Sequence, residues 1–364
     1  MGKKFMVVEM LPARHGDCLW IEYGEGSKSS RVLIDGGPVD TFPRLERRIQ
    51  QVPLGQRAFE LLVLTHVDAD HVEGLVRFFA DKPPQMTVRQ VWFNGWRQMK
   101  KAHGLLGAVQ GEFLSALLVK RAMRAWSPDA PPWVVPGAGA LPIFPLDGGL
   151  TLTLLSPDAR KLDSMATAWE KAVVKGGFRP GDLEAAWNKL GKQKKFIPKQ
   201  GLLGVTPSLD NLVRAQFIED QAKPNGSSIA VLAEYGGKSA LLLGDAHPAV
   251  VAASLRRLCA ERGVERLKVD AVKVAHHGSK NNTSVALVKL IDSPRWLIST
   301  NGDRFEHPDK ECIARILRYG TPRELWFNYR SRFTEPWLAE AAQEKYGYRA
   351  VARDDAEPSS VASL

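Results

Sequence analysis

The 364-residue chain reads as an α/β protein built as a four-layer αβ/βα sandwich with a helical, basic insertion. Three observations lead there. Short apolar runs bounded by Gly-rich turns alternate with helical segments, and this strand-then-helix order occurs in two sets. One apolar run, Leu61-Leu62-Val63-Leu64, leads straight into Thr65-His66-Val67-Asp68-Ala69-Asp70-His71 and a helical segment. That layout is a strand delivering polar groups into the turn before a helix. The 44% hydrophobic content is enough for a sizeable core.

The elements follow in order. Phe5–Met10, Cys18–Tyr23 and Arg31–Ile34 read as short strands, Leu61–Leu64 as a buried strand, and Val72–Ala80 as a helix. Val91–Phe93 is a further strand candidate, and a helix is expected near Lys100–Trp126. Leu150–Leu155 alternates Thr with Leu, the period of a half-buried strand. Ser228–Glu234 and Ser239–Leu243 flank Tyr235-Gly236-Gly237-Lys238, a hairpin turn. Ala249–Arg262 reads as a helix, Val269–Val274 and Trp296–Ser299 as strands with a helix near Ser284–Ile291 between them. Asp309–Tyr319 is a helix opened by Pro308. We expect one domain over residues 1–353, with an insertion at about 95–225, and a flexible tail at 354–364.

Charge and cysteine content narrow the function classes. The net charge of +10 favours a polyanionic partner, although basic proteins also arise for solubility alone. Three scattered cysteines, Cys18, Cys259 and Cys312, exclude a disulfide framework or zinc ribbon and fit core thiols in a reducing cytoplasm. No window approaches the ~20 apolar residues of a membrane span, and the N-terminal apolar stretch is broken by Glu9, so a cytoplasmic location without membrane contact is expected. Between Arg160 and Gln200, ten Lys or Arg face four Asp or Glu, with Trp169, Phe178, Trp187 and Phe196 interleaved. Such interleaving suits a single-stranded nucleic-acid groove. The helical spacing of Trp169, Ala172 and Val173 favours the other reading, an amphipathic helix with its rings packed inward.

The chemistry concentrates at residues 66–71. His66, Asp68, Asp70 and His71 place two imidazoles and two carboxylates within six positions, which repel or desolvate one another unless a cation lies between them. Helix capping explains one Asp and leaves the rest. Asp245, in Leu-Gly-Asp-Ala at a strand end, reads as a further ligand or as a turn residue before the next helix. His276 and His277 follow a buried strand; from an extended backbone they cannot both point the same way, so one is expected to face the site, His276 ahead of His277. His307 precedes Pro308 and reads as a site group or a helix-capping residue. His15 reads as a plain loop residue.

His66-x-Asp68-x-Asp70-His71 after an apolar strand resembles the signature of the metallo-β-lactamase superfamily, whose usual form has His at the third position. The Asp there resembles the branch of the hydrolase domain of the DNA-uptake protein ComEC. Five further stretches fit that branch in order: Gly16–Glu22, Leu33-Ile34-Asp35-Gly36-Gly37, Asn225–Ile229 with Leu242–Ala246, Val274–Ser279 and His307-Pro308. The resemblance implies two divalent ions, Zn²⁺ or Mn²⁺ with Mg²⁺ also compatible, His66 and Asp68 on one, Asp70 and His71 on the other, and Asp245 bridging. It makes His276 a ligand, Asp35, Ser227 and Asn225 supports behind the ligands, and Asp70, His276, His277 and His307 the groups closest to the chemistry. A separate histidine expected between residues 72 and 244 is missing; His103 is the single candidate by type, and Asn225 a substitute. The implied activity is that of a phosphodiesterase or nuclease working through a metal-activated hydroxide on DNA or RNA. The alternatives are a thioester or lactone hydrolase and a non-catalytic, metal-stabilised adaptor in a bacterial system, defence included. Protein partners and a homodimer are compatible with any of these.

Overall fold

The computed structural model describes residues 2–80, 86–102, 109–120, 125–175, 179, 181–182, 186, 209–352 and 360–364. Its first half opens with Lys4–Met10 (β1), Leu19–Glu25 (β2) and Lys28–Ile34 (β3), an antiparallel meander. Helix Phe42–Gln50 (α1) then leads to Leu61–Val63 (β4), helix Ala69–Ala80 (α2) and Val91–Trp92 (β5), and β4 lies parallel to both β3 and β5. Alternation along these strands explains the layering. Ile21, Tyr23, Val32, Ile34, Leu61 and Val63 join one core cluster. The intervening Trp20, Leu33, Leu62 and Leu64 join another with α1 and α2. One face of the sheet therefore meets the second sheet and the other meets helices. Val72, Leu75, Val76 and Phe79 are buried at helical spacing along α2 and seat it there.

The second half adds helices Trp96–Ala102 (α3) and Val109–Lys120 (α4), strands Ile143–Pro145 (β6) and Thr151–Ser156 (β7), and helix Ala159–Lys175 (α5). Strands Ala230–Tyr235 (β8) and Lys238–Leu242 (β9) form the expected hairpin. After helix Pro248–Arg262 (α6) come Ala271–Lys273 (β10), Arg295–Ile298 (β11), helix Lys310–Tyr319 (α7), Glu324–Phe327 (β12) and Arg349–Ala352 (β13). Strands β6 to β13 make an eight-stranded sheet in chain order, antiparallel up to β9 and parallel from β9 onward. With helices on the outer face of each sheet, this is the αβ/βα sandwich that the residue pattern predicts. Among the described residues no helix is long and apolar enough to cross a membrane, and all three cysteines are buried and free.

Several expectations are corrected. The tail expected to be flexible includes Ser360–Ser363 (β14), which pairs antiparallel with the open edge of β1 and buries Ser360 and Ala362. A Ser-Val-Ala-Ser stretch has no apolar run to announce it; the edge it completes holds it. Part of residues 95–225 is integral to the layers: β7 pairs with β8, and Phe113, Leu114 and Leu117 of α4 pack in the core that holds α2. Trp169 and Val173 of α5 are buried in the same core, and the Trp169 indole N–H donates to Glu112 (3.2 Å), so Trp169 is not available to stack on a nucleic acid. Phe178, Trp187, Phe196 and His103 lie outside the described residues. The helix expected near Ser284–Ile291 is a single turn, Val285–Val288, capped by Ser284, whose Oγ accepts from Leu287 N (3.1 Å).

Candidate metal centre

The parallel strands of both sheets end on one side, and the residues just beyond those ends build the site, as open α/β sheets favour. Asp35 follows β3, and Thr65 to His71 follow β4. Asp245 follows β9, His276 and His277 follow β10, and Ser299 to His307 follow β11. Helix α2 begins at Ala69, earlier than the sequence pattern implies. Asp70 and His71 thus occupy its first turn, where the positive end of the helix favours a carboxylate. The helix can approach because residue 74 is glycine: a Cβ there would lie 1.9 Å from the Gly36 carbonyl oxygen. Gly74 N instead donates to Gly37 O (2.8 Å) and Gly36 N to His71 O (2.9 Å), which clips the helix to the loop carrying Asp35.

Four imidazoles converge on one carboxylate. The Nε2 atoms of His71, His66, His276 and His277 lie 3.4, 3.7, 3.7 and 3.7 Å from Asp245 Oδ2. Each ring is turned by its other nitrogen. Thr65 Oγ1 donates to Asp35 Oδ2 (2.7 Å), so it accepts from His66 Nδ1 (3.0 Å). His71 Nδ1 donates to the same Asp35 oxygen (2.7 Å). His277 Nδ1 donates to the Ser299 carbonyl (2.9 Å). His276 Nδ1 donates to Asn282 Oδ1 (2.9 Å), and Asn282 is itself oriented by donating to Asp220 Oδ2 (2.9 Å) and the Asp245 carbonyl (3.1 Å). With every Nδ1 carrying the proton, each Nε2 presents a lone pair inward, the tautomer that metal-binding histidines take.

His276 and His277 both reach this centre, against the expectation that only one would. The premise of an extended backbone fails: His276 (φ 45°, ψ 53°) and His277 (φ 55°, ψ 21°) are consecutive left-handed residues. A conformation of that kind costs about 1–3 kcal/mol per residue, so the surrounding contacts must hold it. The two rings differ in exposure. His277 Nε2 is buried without a hydrogen-bond partner, 3.7 Å from both Asp70 Oδ2 and Asp245 Oδ2. The His276 side chain is 20% exposed, and its ring lies on the open side against those of His307 (5.4 Å) and Phe305 (6.2 Å).

The remaining expected residues divide. Asp68 is at the mouth, 43% exposed, with Oδ2 3.7 Å from His66 Nε2. His307 is buried beside His276, its Nδ1 without a hydrogen-bond partner. Asp35 sits behind His66 and His71, as expected. Ser227 does not line the site: its hydroxyl donates to Pro224 O (2.7 Å), whereas Ser228 Oγ accepts from Asp245 N (3.0 Å). Asn225 lies behind His276, with its Oδ1 buried and without a hydrogen-bond partner. Its amide donates to Asp220 Oδ2 (2.7 Å), so it braces the carboxylate behind His276. Sequence reasoning missed Asp17, Asp220 and Asn282. Asp17 is buried, ion-paired with Lys273, and its Oδ1 lies 3.5 Å from His277 Nδ1; donor atoms of Asp17, His71, Asp245 and His277 all fall within 4.8 Å of one another. Because Asp17 meets the Nδ1 side of His277 and carries its own ammonium partner, it supports the ring from behind. A lysine inside the apolar run Val272-Lys273-Val274 was the signal, since a buried ammonium requires a carboxylate.

Titration follows from this packing. Burial lowers the His276 pKa, but Asp245 and hydrogen bonds to Asp220 and Asn282 outweigh it and raise it to about 9. His71 is likewise raised by Asp245 and Asp35 against burial. Burial, with the charges of His276 and His277, pushes His307 down to about 3. Asp70 and Asp245 are held low, despite burial, by the surrounding imidazoles.

The donor set fits divalent ions. The Nε2 atoms of His66, His71 and His277 and Asp245 Oδ1 are buried with no hydrogen-bond partner; leaving such groups unmet costs about 1–3 kcal/mol each. Ring nitrogens and carboxylates on several strand ends, each oriented from behind, are the arrangement that divalent metal sites use. A centre of this kind supports a metallohydrolase.

Comparison with known proteins was made on this geometry. No family model matches the chain. It is 26% identical over 121 residues to ComE operon protein 3 of Bacillus subtilis (strain 168), a match covering 31% of this chain and 15% of that protein. The chain therefore spans a small part of that relative. Among solved structures it is similar to the metallo-β-lactamase fold protein YhfI from Bacillus subtilis, with a TM-score of 0.40 and 11% identity over 100% of both chains. It is also similar to Zn²⁺-bound PqqB from Methylobacterium extorquens, with a TM-score of 0.37 and 11% identity over 99% of both chains.

Proposed function

We propose that this chain is a metal-dependent phosphodiesterase acting on DNA or RNA. The observation that carries the reading is the convergence on Asp245 of three buried imidazoles with inward lone pairs, His66, His71 and His277, beside the carboxylates of Asp68 and Asp70, with His276 at the open side. In this reading His66 and Asp68 would hold one divalent ion and Asp70, His71 and His277 a second, with Asp245 placed among all of them. Three carboxylates make the set hard, which suits Mn²⁺ or Mg²⁺ as well as Zn²⁺. Ions bound there supply a water of lowered pKa and neutralise charge developing on a phosphoryl oxygen.

The other tasks fall to the chain's own groups. His276, partly exposed on the open side of the centre beside His307, is placed to serve as donor to the leaving oxygen. His307, buried beside it with its pKa lowered by burial and the neighbouring imidazoles, acts as an uncharged hydrogen-bonding ring. The net charge of +10 draws polyanions towards the centre, which favours a phosphodiester over an uncharged acyl substrate.

The test uses purified protein loaded with Mn²⁺. It should hydrolyse bis-p-nitrophenyl phosphate and single-stranded DNA, with both activities abolished by EDTA and reduced to background by Asp70→Ala or Asp245→Ala. A metal-loaded sample that cleaves an acyl thioester and leaves both diesters untouched would overturn the reading, as would one that cleaves nothing.

A further inference from the structure

The loop after β11 carries an aromatic ring that the chemistry above does not use. Phe305 is 43% exposed, although large apolar side chains are mostly buried in this molecule. A single exposed ring is ordinary on a protein surface; its location here is not. Its centroid lies 6.2 Å from that of His276, 6.0 Å from that of His307 and 6.5 Å from that of His15. Phe305 therefore stands at the rim of the metal centre, one imidazole away from Asp245.

The loop is also rigidly held. Asn301 N donates to Arg14 O (2.9 Å), Gly302 N to Thr300 Oγ1 (3.0 Å), Asp303 N to Asn301 Oδ1 (3.1 Å) and Glu306 N to Gly302 O (3.1 Å). Arg332 fixes Glu306 through an ion pair of 2.9 Å. A ring presented on such a loop loses little freedom when something stacks on it. The Arg304 guanidinium lies 5.0 Å from the Phe305 centroid and is not ion-paired among the described residues. A ring for a base beside a cation for a phosphate is the pairing that single-stranded nucleic-acid sites use.

We infer that Phe305 is the platform on which a base of the substrate stacks while the adjoining phosphate is held at the metal centre, with Arg304 as the cation for that phosphate's neighbour. This rests on the phosphodiesterase reading and adds a determinant of specificity to it: the substrate needs a base next to the scissile phosphate. Of the four aromatic residues that the sequence offered for stacking, Trp169 is buried and Phe178, Trp187 and Phe196 lie outside the described residues.

The experiment is a binding comparison on Mn²⁺-loaded protein, using AMP and ribose 5-phosphate, which differ by the base alone. The wild-type protein should bind AMP at least about tenfold more tightly, the order expected for one base on one aromatic ring. Phe305→Ala should bring the two affinities together, and Phe305→Trp should keep or widen the gap. Thermal melts of the variants report folding separately. Equal affinities in the wild type, or a preference that survives in Phe305→Ala, overturns the platform and leaves the phosphodiesterase reading standing. Failure to bind either compound overturns both.

Discussion

Asp35 shows how much of this centre depends on a residue that touches no substrate. It accepts from Thr65 N, Thr65 Oγ1 and His71 Nδ1, and through Thr65 it also sets the ring of His66. Asp35→Asn keeps the shape but can no longer receive all of these protons, so Mn²⁺ affinity should fall by about 10–100-fold. A chelator-competition titration reads this, and an unchanged affinity would contradict the assigned chain of hydrogen bonds. Protons compete with the metal within this centre. In metal-free protein His71 and His276 have pKa values raised above the ordinary histidine value, and for His276 the folded value is about 9. Their contribution to stability is fully present below the unfolded value of ~6.5 and is lost as pH rises through the folded one. An ion needs the His71 ring unprotonated, and its charge disfavours a proton on His276 beside it. The stripped protein should therefore lose stability between about pH 6.5 and 9, while the gain in Tm on adding Mn²⁺ grows over that window. Melts of loaded and stripped samples across the range test this, and a gain that shrinks with pH would count against it.

At the scale of elements, the strand that feeds a metal loop was legible, and the precision of the loop was not. Leu61–Leu64 with the imidazoles and carboxylates that follow it identifies a strand, a turn and a helix by period and composition alone. The same reading could not see that His276 and His277 adopt left-handed backbone, because two adjacent non-glycine residues there go against local preference and are stabilised by tertiary contacts. Nor could it see Asp220, on a segment distant in sequence, or Asn282, six residues on, which together hold His276. Glycine spacing was visible, but its cause is a contact: α2 touches the Gly36–Gly37 loop where residue 74 lacks a side chain. Gly74→Ala places a Cβ 1.9 Å from a backbone oxygen, and backbone cannot give way cheaply. The helix must move outward, taking Asp70 and His71 with it. We expect a lower Tm together with loss of high-affinity Mn²⁺ binding, whereas Gly55→Ala, with nothing within 4 Å of the new Cβ, should preserve binding. Equal metal affinity in the two variants would show that the close approach does not position the ligands.

Across the whole molecule, the centre is shared between the two sheets. His66, Asp68, Asp70 and His71 come from the first, and Asp245, His276 and His277 from the second. The Asp17–Lys273 pair joins the same two halves beneath them, Asp17 from the turn into β2 and Lys273 from β10, both side chains buried. Composition gave no hint of this pairing, because the partners are 256 residues apart; only the misplaced polarity of Lys273 pointed to it. A buried pair of this kind contributes little net stability compared with apolar residues of the same volume, but removing one partner leaves a charge with no compensation, at a cost of about 3–5 kcal/mol. Lys273→Met should therefore destabilise the fold by that order in urea unfolding. Adding Asp17→Asn to Lys273→Met should recover much of the loss, since the amide carries no charge to strand. The double variant should still bind Mn²⁺ less tightly than the wild type, because the Asp17 carboxylate beside His277 Nδ1 is gone. A single variant that unfolds within about 1 kcal/mol of the wild type would mean that Asp17 takes up a proton or finds another cation at little cost. In that case the pair would not be what holds the two sheets in register at the site.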